Sequence, residues 1–175
     1  GDSIVVTGAF GDAALGVLLR RDESLAQRWQ LTPAMSAHLK TRYLLPEPRN
    51  ALAAAVLRHA SAAMDVSDGL AGDLAKLCRA SGVAADVDVA RVPLSDAVRA
   101  AVAAEPALIE TALSGGDDYE IVLTLAPEKF ADLRAAASEA DVPVTEIGRV
   151  TAGQGARFNR NGNALAFKRP SYSHF

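Results

Sequence analysis

The sequence predicts an α/β fold of the α+β kind, a mixed β-sheet packed with helices. Three observations carry that expectation. Strand-like runs alternate with segments of helical spacing along the chain. Residues Tyr119–Leu125 set Tyr119, Ile121, Leu123 and Leu125 against Glu120, Val122 and Thr124, a period of two that marks a strand. Near the end, Asn161-Gly162 inside Arg157–Lys168 is a turn pair that demands an antiparallel hairpin. The strand–helix–strand unit over 119–150 can supply a crossover, which together with the hairpin makes the sheet mixed.

Each element has its own local reason. Ser3–Thr7 is β-branched and ends at Gly8, so it predicts a strand and a turn, with a helix after Gly11-Asp12 through Leu15, Leu18 and Leu19. Pro33 fits the first turn of a helix to about Tyr43, and Pro48 opens another to His59. Ala62–Val66 predicts a short strand. Ser67-Asp68-Gly69 breaks it, and Leu70, Leu74, Leu77 and Cys78 then fall at helical spacing up to Ser81-Gly82. Val83–Val89 alternates as a half-exposed strand. Ser95 is placed to cap a helix over Asp96–Ala103, and Pro106 to open one ending at Leu113, before Gly115-Gly116. Pro127–Ala140 is amphipathic with Phe130 and Leu133 inward, and Val142–Val150 predicts a further strand.

Composition narrows the function. With 175 residues, half of them hydrophobic, 22% charged and a mean hydropathy of +0.11, the chain is globular, and one domain over 1–175 is expected. Lys plus Arg number 18 against 21 for Asp plus Glu, a balance without the basic excess of a nucleic-acid binder. The longest apolar run, Ala51–Leu57, is far below the ~20 residues that cross a bilayer, so no membrane partner is expected. The single cysteine, Cys78, reads as a small core residue in a reducing cytoplasm. No glycine-rich nucleotide loop, nucleophile elbow or paired Cys/His metal spacing is present.

What remains is acidic. Asp65-Val66-Ser67-Asp68-Gly69 places two carboxylates three residues apart where a predicted strand turns into a helix. Magnesium suits such a pair, because it takes one or two carboxylates and leaves its other positions to water and substrate phosphates. The helix start adds backbone N–H groups for a phosphate oxygen, with the Ser67 hydroxyl nearby. The plainer alternative is that Ser67 or Asp68 caps the helix, although a cap leaves Asp65 without a partner. In Ser114-Gly115-Gly116-Asp117-Asp118-Tyr119-Glu120, two glycines permit a turn that presents Asp117 to a ligand; the alternative is an ordinary turn into a strand. In Pro46-Glu47-Pro48-Arg49, Arg49 is either a phosphate clamp or an exposed linker residue.

Gly1–Gly8, Pro46-Glu47-Pro48-Arg49, Met64–Leu70, Ser114–Glu120, Ile147-Gly148 and the tail Tyr172-Ser173-His174-Phe175 occur in the order seen in the thiamine-monophosphate kinases. The chain resembles the carboxyl-terminal domain of that family, within the superfamily of aminoimidazole ribonucleotide synthetase. The resemblance implies that fold and an ATP-dependent kinase that phosphorylates thiamine monophosphate to thiamine diphosphate with magnesium. It implies Asp65 and Asp68 as magnesium ligands, Ser67 as an ATP contact, and Asp117 and Tyr172 as contacts to the thiamine moiety. Where the family usually has Glu, this chain has Asp117, one methylene shorter. The resemblance further implies a preceding ATP- and magnesium-binding N-terminal domain absent from this chain, a homodimer when complete, and an isolated half that is inactive. The alternatives are another ATP-dependent enzyme of the superfamily, or a non-catalytic assembly domain.

Overall fold

The computed structural model describes residues 1–168. The elements run β1 (Ser3–Thr7), α1 (Asp12–Arg21), α2 (Leu25–Arg28), α3 (Pro33–Leu44), α4 (Ala53–His59), β2 (Ala62–Val66), α5 (Leu70–Ser81), β3 (Ala84–Asp88), α6 (Asp96–Ala104), α7 (Leu108–Ser114), β4 (Glu120–Leu125), α8 (Phe130–Glu139), β5 (Val144–Thr151), β6 (Gly155–Arg160) and β7 (Asn163–Ala164). Their strands form one mixed sheet in the order β2-β4-β1-β5-β3-β6-β7. Neighbouring strands are antiparallel except for the parallel pair β3 and β6. Because β4 and β5 both run against β1, they are parallel to each other, and α8 makes the expected crossover between them.

Two faces and one helical cluster share the apolar residues. On one face Ile4, Val6, Val66, Val122 and Ile147 pack against Leu70, Leu74 and Leu77 of α5. On the other, Val5, Leu123 and Leu125 meet Leu133 and Phe130 of α8 and Val56 of α4. Helices α1, α3, α6 and α7 gather Leu15, Leu19, Leu39, Val98 and Leu108 around Trp29, whose indole N–H donates to Glu105 Oε2 at 3.1 Å. Cys78 lies in the first cluster as a core residue, and burial pushes its thiol pKa up. No helix among the described residues is long and apolar enough to cross a membrane.

Most of the expected elements form, and the differences have local causes. The segment after Pro48 begins with a 3-10 turn over Asn50–Leu52, so α4 starts only at Ala53. Strand β5 starts at Val144, because Pro143 cannot donate to a ladder and instead accepts from Gly8 N. Ser95 caps α6 as expected, accepting from Val98 N. The closing hairpin turns on Asn161 (φ 52°) and Gly162 (φ 81°), both positive as its primed turn requires. Register Val66↔Glu120 and Thr7↔Val144 puts the ends of β1 and β2 and the starts of β4 and β5 at one end of the sheet, where the acidic motifs lie.

Candidate functional site

The two acidic motifs meet backbone to backbone. Asp117 N donates to Ser67 O at 2.9 Å, and Tyr119 N donates to Val66 O at 3.0 Å. Two glycines make the approach possible. A Cβ on Gly116 would stand 2.4 Å from Ser67 O, and one on Gly69, whose φ is +102°, would stand 2.5 Å from Ser114 O. The turn also holds Asp117 and Tyr119 at positive φ (72° and 52°), a conformation that costs non-glycine residues of order 1–3 kcal/mol. Asp117 thereby lines a cavity of about 180 Å³ with Val17, Leu18, Arg21 and Tyr43.

Neither Ser67 nor Asp68 caps α5. Gly69 occupies the N-cap position and offers no side chain, so the loop amides find another acceptor. That acceptor is Asp73, 1% exposed, whose Oδ2 receives Ser67 N at 3.0 Å and Asp68 N at 2.9 Å. Lys76 completes the arrangement, with its Nζ 2.6 Å from Asp68 Oδ2 and 2.8 Å from Asp73 Oδ1. Hydrogen bonds to Asp68 and then Asp73 raise the Lys76 pKa, so the ammonium stays charged. Asp65 lies elsewhere. Its cross-strand partner Ile121 belongs to the α4–α8 face, and residues directly opposite share a face, so Asp65 is exposed on that side of β2. The two carboxylates expected to share one ion therefore serve opposite sides of the strand end. Among the described residues no group of three or more His, Cys, Asp or Glu converges on a metal position.

Two further carboxylates set the frame. Asp118, 3% exposed, caps α1 from a distance: its Oδ2 accepts Gly11 N at 2.8 Å and its Oδ1 accepts Ala13 N at 3.2 Å. Burial outweighs those two bonds and, with Asp12 and Glu120 adding repulsion, pushes its pKa up to about 8. A carboxyl whose folded pKa lies above its unfolded value binds more protons folded than unfolded, so stability falls as pH rises between the two values. Urea unfolding from pH 5 to 8 is expected to show this loss, at no more than about 1.4 kcal/mol per pH unit, and Asp118→Asn to flatten it. Identical slopes in both proteins would remove Asp118 as the source.

Glu120 is fully buried and accepts from Thr7 Oγ1 at 2.6 Å and from Arg49 Nε and Nη2 at 2.7 and 2.6 Å, with Arg42 Nη2 at 3.4 Å. Arg49 is therefore neither a phosphate clamp nor an exposed linker residue. It pins the Pro46–Pro48 segment to the sheet, and Glu47 adds ion pairs to Arg42 and Arg49 at 3.0 and 3.5 Å. The cleft that these groups line with Asp12 and His38, about 630 Å³, mixes charges of both signs.

Sequence reasoning singled out Asp65, Ser67, Asp68 and Asp117 as candidates and gave no role to Asp73, Lys76, Asp118 and Glu120, which order the loops around them. One signal was available for Asp73, because three residues after Leu70 it falls on the apolar face traced by Leu70, Leu74 and Leu77. Its i,i+3 spacing to Lys76 completes that signal. Tyr172 lies outside the described residues.

Comparison with known proteins places this architecture. Residues 1–160 match the model of the family described as AIR synthase related protein, C-terminal domain. A curated relative, the thiamine-monophosphate kinase of Caulobacter vibrioides, is 39% identical over 99% of this chain and 48% of its own length. The crystal structure of thiamine-monophosphate kinase from Stenotrophomonas maltophilia superposes with a TM-score of 0.81 at 38% identity, covering 94% of this chain and 51% of that one. The structure of AaThiL complexed with AMPPCP and TMP gives a TM-score of 0.76 at 31% identity, over 100% of this chain and 52% of that one. The chain spans about half the length of the curated relatives it matches. By fold and by the match over 160 residues, it belongs to the AIR synthase related protein, C-terminal domain family.

Proposed function

We propose that this chain supplies part of the ATP, magnesium and substrate site of a thiamine-monophosphate kinase, which transfers the γ-phosphoryl group of ATP to thiamine monophosphate to give thiamine diphosphate. The observation that carries this reading is the backbone bond from Asp117 N to Ser67 O, which puts the expected nucleotide loop beside the expected substrate loop. The relative AaThiL, captured with AMPPCP and TMP, supports the same pairing of ligands. Asp65 and Asp68 are hard oxygen donors of the kind magnesium takes, each accessible, but among the described residues no three such groups converge, so they would be part of a magnesium site and not the whole of it. Magnesium supplies charge neutralisation on the phosphates. Ser67, at the strand-to-helix turn, contacts ATP; Asp117, on its cavity, and Tyr172 contact the thiamine moiety, whose thiazolium charge complements a carboxylate. Positioning and charge compensation suffice for phosphoryl transfer, so no side chain here serves as a nucleophile.

Two carboxylates hold too few magnesium ions to neutralise a triphosphate together with an acceptor phosphate. The reading therefore includes a second, N-terminal domain with further acidic ligands, a homodimer of the complete protein and a cytoplasmic, reducing location. The test joins this chain to the N-terminal half of the Caulobacter vibrioides relative and follows thiamine diphosphate formed from ATP and thiamine monophosphate. The fusion is expected to turn over while the 175-residue chain alone does not. A folded fusion that binds neither ATP nor thiamine monophosphate overturns the assignment, and ordinary turnover by the chain alone overturns the need for a second domain.

A further inference from the structure

The cavity that Asp117 lines is walled on one side by a stripe of α1, because Ala14, Val17, Leu18 and Arg21 recur at the spacing of one helix face. Tyr43, near the end of α3, adds an aromatic side chain that is half-buried. Two opposite charges line this space without meeting. Among the described residues neither the Asp117 carboxylate nor the Arg21 guanidinium has an ion pair or a side-chain hydrogen bond, with each other or with any other group. An acceptor and a donor are therefore left for a ligand to bridge, between apolar walls and beside an aromatic ring. At about 180 Å³ the cavity is smaller than the ~300 Å³ at which sites for drug-sized ligands begin, so it takes one small ring.

Charge decides which ring. A thiazolium cation inside the cavity would meet Arg21 as a like charge. The neutral aminopyrimidine of thiamine monophosphate instead carries an amino N–H donor beside a ring-nitrogen acceptor, the pattern that a carboxylate and a guanidinium together complement. We propose that the cavity recognises that aminopyrimidine, with Asp117 accepting from its amino group, Arg21 donating to the neighbouring ring nitrogen and Tyr43 as the stacking face. This inference rests on the proposed function and adds Tyr43 and Arg21 to it as specificity-determining residues. The thiazolium and the phosphate are then left on the Ser67 side of Asp117, where the bond from Asp117 N to Ser67 O joins the two loops. From there the thiazolium charge still lies within reach of the Asp117 carboxylate.

Calorimetric titration of the purified chain tests this by comparing thiamine monophosphate with its 4-hydroxypyrimidine analogue, which reverses donor and acceptor along the same edge. The native chain is expected to bind the amino form about ten-fold more tightly. Asp117→Asn, whose amide both donates and accepts, is expected to bring the two ligands within about two-fold of each other, and Arg21→Met to narrow the gap. Tyr43→Leu is expected to weaken the amino form about ten-fold, as the loss of a stacking face does, and Tyr43→Phe to recover that loss. Circular dichroism checks folding, and if Tyr43→Leu does not fold, the Asp117→Asn comparison decides. Thiamine monophosphate bound with no preference over its analogue, or unweakened by a folded Tyr43→Leu, overturns the pocket and leaves the kinase reading standing. If the chain alone binds neither ligand, KM for thiamine monophosphate in the fused enzyme decides: a rise in Tyr43→Leu supports the pocket, and no change overturns it. Failure of chain and fused enzyme alike to bind thiamine monophosphate overturns both.

Discussion

Arg49→Met is expected to lower the stability of the chain by about 3–5 kcal/mol, because it strips a buried carboxylate of its bidentate partner. Glu120 has no solvent contact, and Arg49 supplies two of its short bonds at 2.7 and 2.6 Å. What would remain is the Thr7 hydroxyl and the longer reach from Arg42 at 3.4 Å. A domain's whole stability is of order 5–15 kcal/mol, so a loss of that size brings the chain close to unfolding. Methionine keeps the stem's packing and removes only the charge and donors, which separates this effect from lost burial. Urea unfolding at neutral pH measures it, and the double variant Arg49→Met, Glu120→Gln is expected to recover part of the loss. A cost below about 1 kcal/mol for the single variant would mean that Glu120 is satisfied without Arg49.

The second large effect falls on catalysis. In the fused enzyme Asp65→Asn is expected to reduce thiamine diphosphate formation by about 10²–10³-fold, the range for losing one electrostatic group at a phosphoryl or oxyanion centre. Its effect on stability is expected to stay within ±0.5 kcal/mol, since Asp65 is exposed on β2 and makes no hydrogen bond or ion pair among the described residues. That combination distinguishes a ligand from a structural acid. Asp73→Asn, by contrast, lowers both quantities together, because Asp73 is buried and orders the loop that carries Ser67 and Asp68. Full turnover in Asp65→Asn would remove Asp65 from the metal set and leave only Asp68 to hold an ion.

Much of this was legible in the residues. The alternation of Tyr119–Leu125 located a strand whose start sits at Glu120, and the Leu70, Leu74, Leu77 and Cys78 spacing located α5 to its last residue at Ser81. Both patterns are local, and local periodicity is what a sequence displays. Non-local partnerships were hidden. Nothing near Gly11 announces that Asp118, 107 positions away, accepts its N–H, and nothing near Pro48 announces that Arg49 reaches Glu120. The parallel pairing of β3 with β6 was equally invisible, because the Val83–Val89 pattern fits either neighbour. Helix α2 was missed because its four residues, none of them buried, carry no face to read. The alternative of a helix cap at Ser67 or Asp68 failed for a related reason. A buried acid one turn inside the helix takes the same amides, and capping rules look only at the helix boundary.

The position of β1 has a consequence for how the molecule is made. This strand precedes every other element of the sheet, yet Ser3 pairs with Leu125 on one side and Arg149 on the other. A ribosome must therefore release well over a hundred further residues before either neighbour exists, and until then Ile4, Val5 and Val6 have no ladder to join. Topology of this kind makes spontaneous folding slow compared with helical bundles. From the emergence of β1 until that of β4, the nascent polypeptide exposes an adhesive β-branched segment, the kind of surface that chaperones exist to shield.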